Sequence, residues 1–293
     1  MSRAQPLHKP SVGARQAPNL AWLNNAAKLA AFLLIAATML FPLFWMLASS
    51  VKTPQELQAS PPVWLPAQPT TEPYAQAFEI GGFGRSFLNS LVIAGGTTLG
   101  IVLTSILAGY VFAKHRFRGR GLLFNLVLAT MFLPPIVTLV PLYRIVESLG
   151  LVDTYAGAML PFIANAFGIF LMRQFIAGIP DELLESARID GAGEWTILWR
   201  VVVPLLGPAV ASLTVFAFVF HWNSFLWPLT VLQSESMHTV VLSLNRLVSY
   251  TSAVRFQNVV MAGAALAIVP SIILFVLLQR FFIAGVATTG VKG

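Results

Sequence analysis

Residues 29–51 read LAAFLLIAATMLFPLFWMLASSV, a run without Asp, Glu, Lys or Arg. As a helix it is long enough to cross a hydrocarbon core about 30 Å thick. Such a run decides the fold, because in lipid every backbone N–H and C=O must find a partner inside the protein. Only helices and closed barrels meet that condition. A barrel would show short strands of alternating polarity, and this run does not alternate. Working outward, five more apolar segments follow at Phe87–Ala113, Leu122–Tyr143, Tyr155–Met172, Leu205–Leu229 and Val259–Phe282. The sequence therefore predicts an all-α membrane protein with six transmembrane helices.

Composition agrees. Hydrophobic residues make up 57% of the 293 positions and charged residues 10%, with a mean hydropathy of +0.77. Soluble domains carry about 25% charged residues, so water cannot be the main solvent of this surface. The net charge is +7. No basic run is interleaved with aromatics as a nucleic-acid groove requires, so the excess is read as cytoplasmic loop charge and nucleic acid is not expected as a partner. There is no cysteine, which excludes disulfides and thiolate metal sites.

Orientation follows from the basic residues. With the N-terminus inside, Arg3, Lys9, Arg15, Lys28, Lys114, Arg116, Arg118, Arg120, Arg173, Arg188, Arg200, Arg280 and Lys292 are cytoplasmic. These are thirteen of the 18 basic residues, leaving Lys52, Arg85, Arg144, Arg246 and Arg255 outside. The positive-inside rule then places both termini in the cytoplasm. Residues 1–28 are expected as a cytoplasmic tail and 29–293 as the transmembrane domain. The 28 residues ahead of the first apolar run, and the length of that run, argue for an uncleaved helix rather than a signal peptide. The outside segment Lys52–Arg85 holds Pro61, Pro62, Pro66, Pro69 and Pro73 and is expected as an extended, ordered or semi-ordered connection. The outside segment from Thr230 to Asn258 has room for a short helix.

The long inside loop, residues 173–204, carries the most specific pattern. Pro180-Asp181-Glu182 is a helix start, with proline in a first turn and acidic side chains at the positive end of the helix dipole. Leu183, Leu184, Ala187 and Ile189 give an apolar face, and Gly191 ends the helix where a left-handed residue is needed. A second run, Trp195 to Val203, continues to Pro204, which is expected to break into the next span. Two readings of this helical hairpin stand on these residues alone: a docking element for a partner, or an amphipathic hairpin lying on the membrane surface.

The stretch Glu185-Ser186-Ala187-Arg188-Ile189-Asp190-Gly191-Ala192, ending in Val201-Val202-Val203-Pro204, closely resembles the EAA loop of permease subunits of binding-protein-dependent ATP-binding cassette importers. That pattern is Glu-Ala-Ala, three residues, Gly, nine residues, then aliphatic-x-aliphatic-Pro. Ser186 stands where alanine is usual, and Val201 and Val203 where isoleucine and leucine are commoner. Ile189-Asp190-Gly191-Ala192, Trp222-Asn223 and the tail from Gln279-Arg280-Phe281-Phe282 to Gly290-Val291-Lys292-Gly293 look like the carbohydrate-uptake branch. There the chain is similar to the six-span subunit of maltose-type and glycerol-phosphate-type importers, over about residues 29–293. The resemblance implies the type I permease fold in a prokaryotic inner membrane. It implies a second permease, two cytoplasmic ATPase subunits that hold the ATP and Mg, and an external solute-binding protein. It implies no cofactor on this chain. It also implies ATPase coupling through Glu185, Ser186, Ala187, Asp190, Gly191, Ala192 and Pro204.

Polar residues inside spans are costly and face the bundle or a cavity. His221, Trp222 and Asn223 are read either as a substrate path for a hydroxylated solute or as an interhelical hydrogen bond with a packed aromatic. Asn125 and Asn165 are expected as interhelical hydrogen-bonding residues. Gly95, Gly96 and Gly100 are expected at close helix contacts, and Pro134, Pro135, Pro141, Pro161 and Pro270 at kinks. There is no Gly-x-x-x-x-Gly-Lys-[Ser/Thr] loop and no hydrolase signature, and the four histidines are too scattered for a metal site. The alternatives, an ion-coupled secondary transporter or a membrane-embedded enzyme, lack the inverted repeats, intramembrane charge pairs and catalytic constellations they need.

Overall fold

The computed structural model describes residues 21–250 and 256–289, and the chain divides into two units, residues 1–45 and 46–293. Arg3, Lys9, Arg15, Arg255 and the closing residues 290–293 lie outside the described residues. So do residues 1–20 of the expected tail. Helix α1 (Ala21–Ser50) provides the first unit and continues into the second, and it runs through Pro42 without a break. It begins ahead of the apolar run, so the end of the expected tail is already helical.

In the second unit the proline-rich connection is ordered, as expected. Short α2 (Pro54–Leu57) starts on a capping box. Thr53 Oγ1 accepts from the Glu56 N–H, and Glu56 Oε2 accepts from the Thr53 N–H at 3.0 Å. The other oxygen, Oε1, accepts from the Ala67 and Gln68 N–H groups. These backbone donors, led by Thr53, hold the Glu56 carboxyl below the usual carboxylate range. After α3 (Glu72–Gly81), Gly82 turns the chain at φ +62 into α4.

Helix α4 (Phe83–Lys114) has 32 residues and no proline. At 1.5 Å per residue it is about 48 Å long. It contributes to all three apolar cores: Ile101, Ile106 and Tyr110 to one, Phe83 and Ala94 to a second, and Ile93 to a third. Glycines let other helices approach it. A Cβ on Gly96 would meet Met159 Sδ at 2.7 Å, and one on Gly100 would meet Ile163 Cγ2 at the same distance. A Cβ on Gly109 would lie 2.7 Å from Met172 Cβ and 2.9 Å from the Arg173 backbone nitrogen. Gly95 faces open space, contrary to expectation: it sits beside Gly96 in sequence and so points 100° away around the helix.

Two of the expected spans are bent pairs rather than single helices, and a third bend lies where the loop 173–204 meets the fifth expected span. Helix α5 (Arg120–Ala129), a 3₁₀ turn at Thr130–Phe132 and α6 (Pro135–Ser148) are bent by 106° at the break. Leu133 precedes Pro134 and takes extended backbone, as a residue before proline does. Helix α7 (Tyr155–Met159) with its 3₁₀ turn Leu160–Phe162 meets α8 (Ala166–Ala177) at 46°. There Asn165 is an N-cap, accepting from the Gly168 N–H at 2.9 Å, and not a bond between helices. Asn125 is exposed. Helices α9 (Asp181–Ile189), α10 (Glu194–Ile197) and α11 (Val203–Leu205) form the inside loop, and α12 (Gly207–Trp222) leaves it through an 80° bend. Pro141 and Pro270 lie inside continuous helices. After α13 (Leu226–Val231), α14 (Val240–Tyr250) is the short helix expected outside, and α15 (Gln257–Thr289) is the last span. Among the described residues three continuous helices are long and apolar enough to cross a membrane, and counting each bent pair as one span brings the number up to six.

The connections at the α6–α7 and α13–α14 end are pinned to the spans. Asn89 Nδ2 donates to the Ser236 and His238 carbonyls at 2.8 and 2.9 Å, and Tyr155 Oη donates to Asn89 Oδ1. Ser90 Oγ accepts from the Val240 N–H. Asp153, at φ +60, accepts from the Ser234 hydroxyl and from the Ser234 and Gln233 N–H groups, and these bonds, the hydroxyl's first, hold its carboxyl below the usual range.

The α4–α8 contact at Gly109 has little room to yield, because the atoms it faces include backbone. Gly109→Ala is expected to destabilise the detergent-solubilised protein by about 1–3 kcal/mol, the cost of overpacking. Gly95→Ala meets nothing and removes a poor helix former, so it is expected to be neutral or stabilising by up to about 1 kcal/mol. Thermal unfolding of the two variants side by side checks this; equal melting temperatures would show that the helices are not in close contact.

Candidate functional site

The loop at residues 173–204 folds as a hairpin because its turn satisfies its own backbone. Asp181 and Glu182 occupy the first turn of α9, with Pro180 at the cap position. At the other end Gly191 is left-handed at φ +83. The Gly191 N–H reaches Arg188 O at 3.0 Å and the Ala192 N–H reaches Ala187 O at 2.9 Å. These two bonds are the Schellman closure of a helix C-terminus. A glycine is required at 191 because an L side chain pays on the order of 1 kcal/mol or more for this conformation.

The expected apolar face of α9 divides in two. Leu184 and Ala187 turn inward onto a core with Met172, Ile176, Ile197, Leu198, Val202 and Leu206. Leu183 and Ile189 point away, exposed by 47% and 87%, and Trp195 at the start of α10 is 66% exposed. Residues 183, 184 and 189 cannot share one side at 100° per residue. Glu185, Ser186, Asp190 and Gly191 are exposed with them, while Ala187 and Ala192 are half-buried under the turn. Pro204 does not break the chain. It sits inside α11, and the bend comes at Leu206–Gly207. Upstream of it Leu198–Val202 widens to a π-turn, in which the Val203 N–H reaches back to Leu198 O. This relieves the crowding that a proline imposes on the preceding turn.

Polar contacts tie the hairpin to the end of α4. Glu194 Oε1 accepts from Arg188 Nε at 2.9 Å. Glu194 Oε2 accepts from Tyr110 Oη at 2.7 Å and lies 3.5 Å from His115 Nε2. Lys114 Nζ donates to the Ile179 carbonyl at 2.5 Å and to Asp181 Oδ1 at 2.6 Å. The hydrogen bond from Lys114, and then its charge, hold the Asp181 carboxyl below the usual range. Sequence reasoning assigned no role here to Tyr110, His115 or Glu194, and read Lys114 only as a marker of orientation. The one available signal was an acidic residue placed directly after Gly193, at the start of the second run.

Of the three residues in the expected path, two face open volume. A cavity of about 560 Å³ is lined by residues from α6, α12 and α13, including Thr138, Leu142, His221, Asn223, Ser224 and Trp227. His221 also borders a second cavity, of about 300 Å³, with Asn165 and Phe216. Asn223 is exposed at the end of α12, where its Nδ2 donates to Val219 O. Trp222 lines neither cavity. Its ring stacks on Phe218 at 5.5 Å, and Nε1 donates to the Ala267 carbonyl at 2.9 Å. Among the described residues no group of His, Asp and Glu is placed to hold a metal ion.

Known proteins give these features a family. The arabinooligosaccharides transport system permease protein AraQ of Bacillus subtilis (strain 168) is 36% identical over 268 residues, 89% of this chain and 94% of AraQ. The sn-glycerol-3-phosphate transport system permease protein UgpE of Agrobacterium fabrum is 35% identical, over 85% of this chain and 91% of UgpE. A chain in the crystal structure of a bacterial ABC transporter involved in the import of the acidic polysaccharide alginate superposes with a TM-score of 0.79. It does so at 24% identity over 92% of this chain and 100% of that one, which is a likeness of fold. The profile of the binding-protein-dependent transport system inner membrane components matches residues 100–288, a stretch that takes in the hairpin, the cavity and most of the spans. With up to six apolar spans among the described residues, a Schellman-closed EAA hairpin and this match over more than half its length, the chain belongs to the binding-protein-dependent transport system inner membrane components.

Proposed function

We propose that this chain is a permease subunit of an ATP-driven importer, passing a sugar or sugar derivative that an external solute-binding protein delivers. The observation that carries the reading is the hairpin: a rigid, self-capped helix that presents Leu183, Ile189 and Trp195 uncovered beside Glu185, Ser186 and Asp190. A short stiff helix transmits displacement, whereas a flexible loop absorbs it. Its exposed apolar side chains match a cleft on an ATPase subunit. Gly191 and Ala192 shape the turn, Ala187 seats it, and Pro204 sets the π-turn behind it. ATP and Mg belong to two ATPase subunits, and a second permease completes the pathway. Residues 1–28 form a cytoplasmic tail and 29–293 the permease domain, with both termini inside a prokaryotic inner membrane.

Two features support the solute class. AraQ and UgpE, by their names, serve arabinooligosaccharides and sn-glycerol-3-phosphate, both rich in hydroxyls. The larger cavity offers hydroxyl and amide groups, Thr138, Ser224 and Asn223, on an otherwise apolar wall. Such a wall suits the alternating polar edges and apolar faces of a sugar. His221 and Asn223 are assigned to the path, and Trp222 to packing.

The orientation is checked by single cysteines, since the natural chain has none. Cysteine at exposed Gln68 or Gln233 is expected to react with an impermeant maleimide in intact cells, and cysteine at Asp190 only after permeabilisation. Reaction of the Asp190 variant in sealed cells would reverse the proposed topology.

Gly191→Val tests the function. The β-branched side chain is strained at φ +83, by on the order of 1 kcal/mol or more, and it adds bulk at the docking turn. Insertion is expected to be normal, because no span is altered. Uptake in reconstituted vesicles is expected to fall at least about tenfold, with the ATPase either lost from pull-downs or unresponsive to the loaded binding protein. Normal uptake, pull-down and stimulated hydrolysis together would overturn the assignment.

A further inference from the structure

The geometry points to Glu194 and Tyr110 as the positioning pair that passes the displacement of α9 into α4. The inference rests on the importer reading above and concerns how one part of that importer moves another. An apolar contact between the hairpin and the spans holds them together but is non-directional, so it lets one slide over the other. The polar contacts are directional, and the one carboxylate joins three elements. Glu194 itself opens α10, Arg188 is in the last turn of α9, and Tyr110 is in the last turn of α4. Bonds with a charged partner are the stronger kind, and this carboxylate accepts one on each of its oxygens, from Arg188 and from Tyr110.

A second tie makes the attachment rigid. Lys114 lies one turn beyond Tyr110 on the same side of α4, and its side chain is 7% exposed. It holds the start of α9 through the Ile179 carbonyl and Asp181. The end of α4 therefore grips α9 at both ends, directly at its start and through Glu194–Arg188 at its finish. With two points fixed, α9 cannot pivot without carrying α4. The far end of α4 holds the Ser236–Val240 connection through Asn89 and Ser90. Displacement entering at the hairpin thus has a continuous path across the bundle.

The test uses the whole importer in vesicles: this chain with its partner permease, the ATPase pair and the loaded binding protein. Solute uptake and ATP hydrolysis are measured in the same sample. Tyr110→Phe removes one hydroxyl. Glu194→Gln keeps an oxygen acceptor but loses the charge, so each change is mild enough for insertion. Solute moved per ATP is expected to fall about fivefold or more in each, the range of typical coupling between sites. The ATPase should remain in the complex and still respond to the binding protein. The double variant is expected to be no worse than the poorer single one, since both act on one contact. An unchanged ratio in both single variants overturns the inference, as does loss of the ATPase from the complex, which would make the pair a docking requirement. If Gly191→Val abolishes uptake while the ratio holds in these variants, the pair alone is wrong. If Gly191→Val is also silent, the importer reading has failed first.

Discussion

Helix α4 meets the backbone demand of a lipid environment in the simplest way, with one uninterrupted ladder of hydrogen bonds over 32 residues. Helices α7, α8, α12 and α14 pack against it. Because it is unbroken and free of proline, neighbours that are neither can be built from pieces, each piece fitted to a different part of its surface. The small residues at the contacts are shared: glycines of α4 receive Met159, Ile163 and Met172, while Gly168 of α8 receives Ser105 of α4. Without large side chains between them, the helix backbones come within van der Waals reach.

A helix broken inside an apolar medium exposes backbone groups that have no water to turn to. Several breaks here carry their own remedy. Asn165 caps α8, and Thr104 Oγ1 reaches across from α4 to the Ile163 carbonyl at the bend between α7 and α8. Thr154 caps α7 by accepting from the Gly157 N–H. Some side-chain hydroxyls and amides within the apolar segments thus serve to finish helices, and others, among them Thr138, His221, Asn223 and Ser224, border open volume.

What the residues disclosed in advance followed the range of the interaction. Apolar length is local, so all six segments were legible. Gly191 was legible too, because a helix end that needs a left-handed residue is decided within a few positions. Prolines marked where bends are permitted but not where they occur: Pro134 sits at one of 106°, while Pro42, Pro141 and Pro270 lie inside continuous helices. The difference depends on what packs on the far side. Glu194 was illegible for the same reason, since its partner Tyr110 is 84 positions away. Lys114 is 67 positions from Asp181, and in the linear sequence its charge carried only the statistical message of topology. Trp222 joined its neighbours His221 and Asn223 in sequence but parted from them in space, turning to Ala267.

The uncovered side chains of the hairpin have a consequence for the life of the chain before it is assembled. Ile189, Trp195 and Leu183 project from the part of the molecule proposed to stand in water, where exposed apolar groups of this size attract chaperones and proteases. A copy made in excess of its partners would keep that surface bare and be recognised as unfinished. On the docking reading proposed above, the same three residues would be covered in a completed transporter and bare in a subunit without its partners. Synthesis of this chain in step with its partners becomes a physical need of the fold as much as a matter of economy.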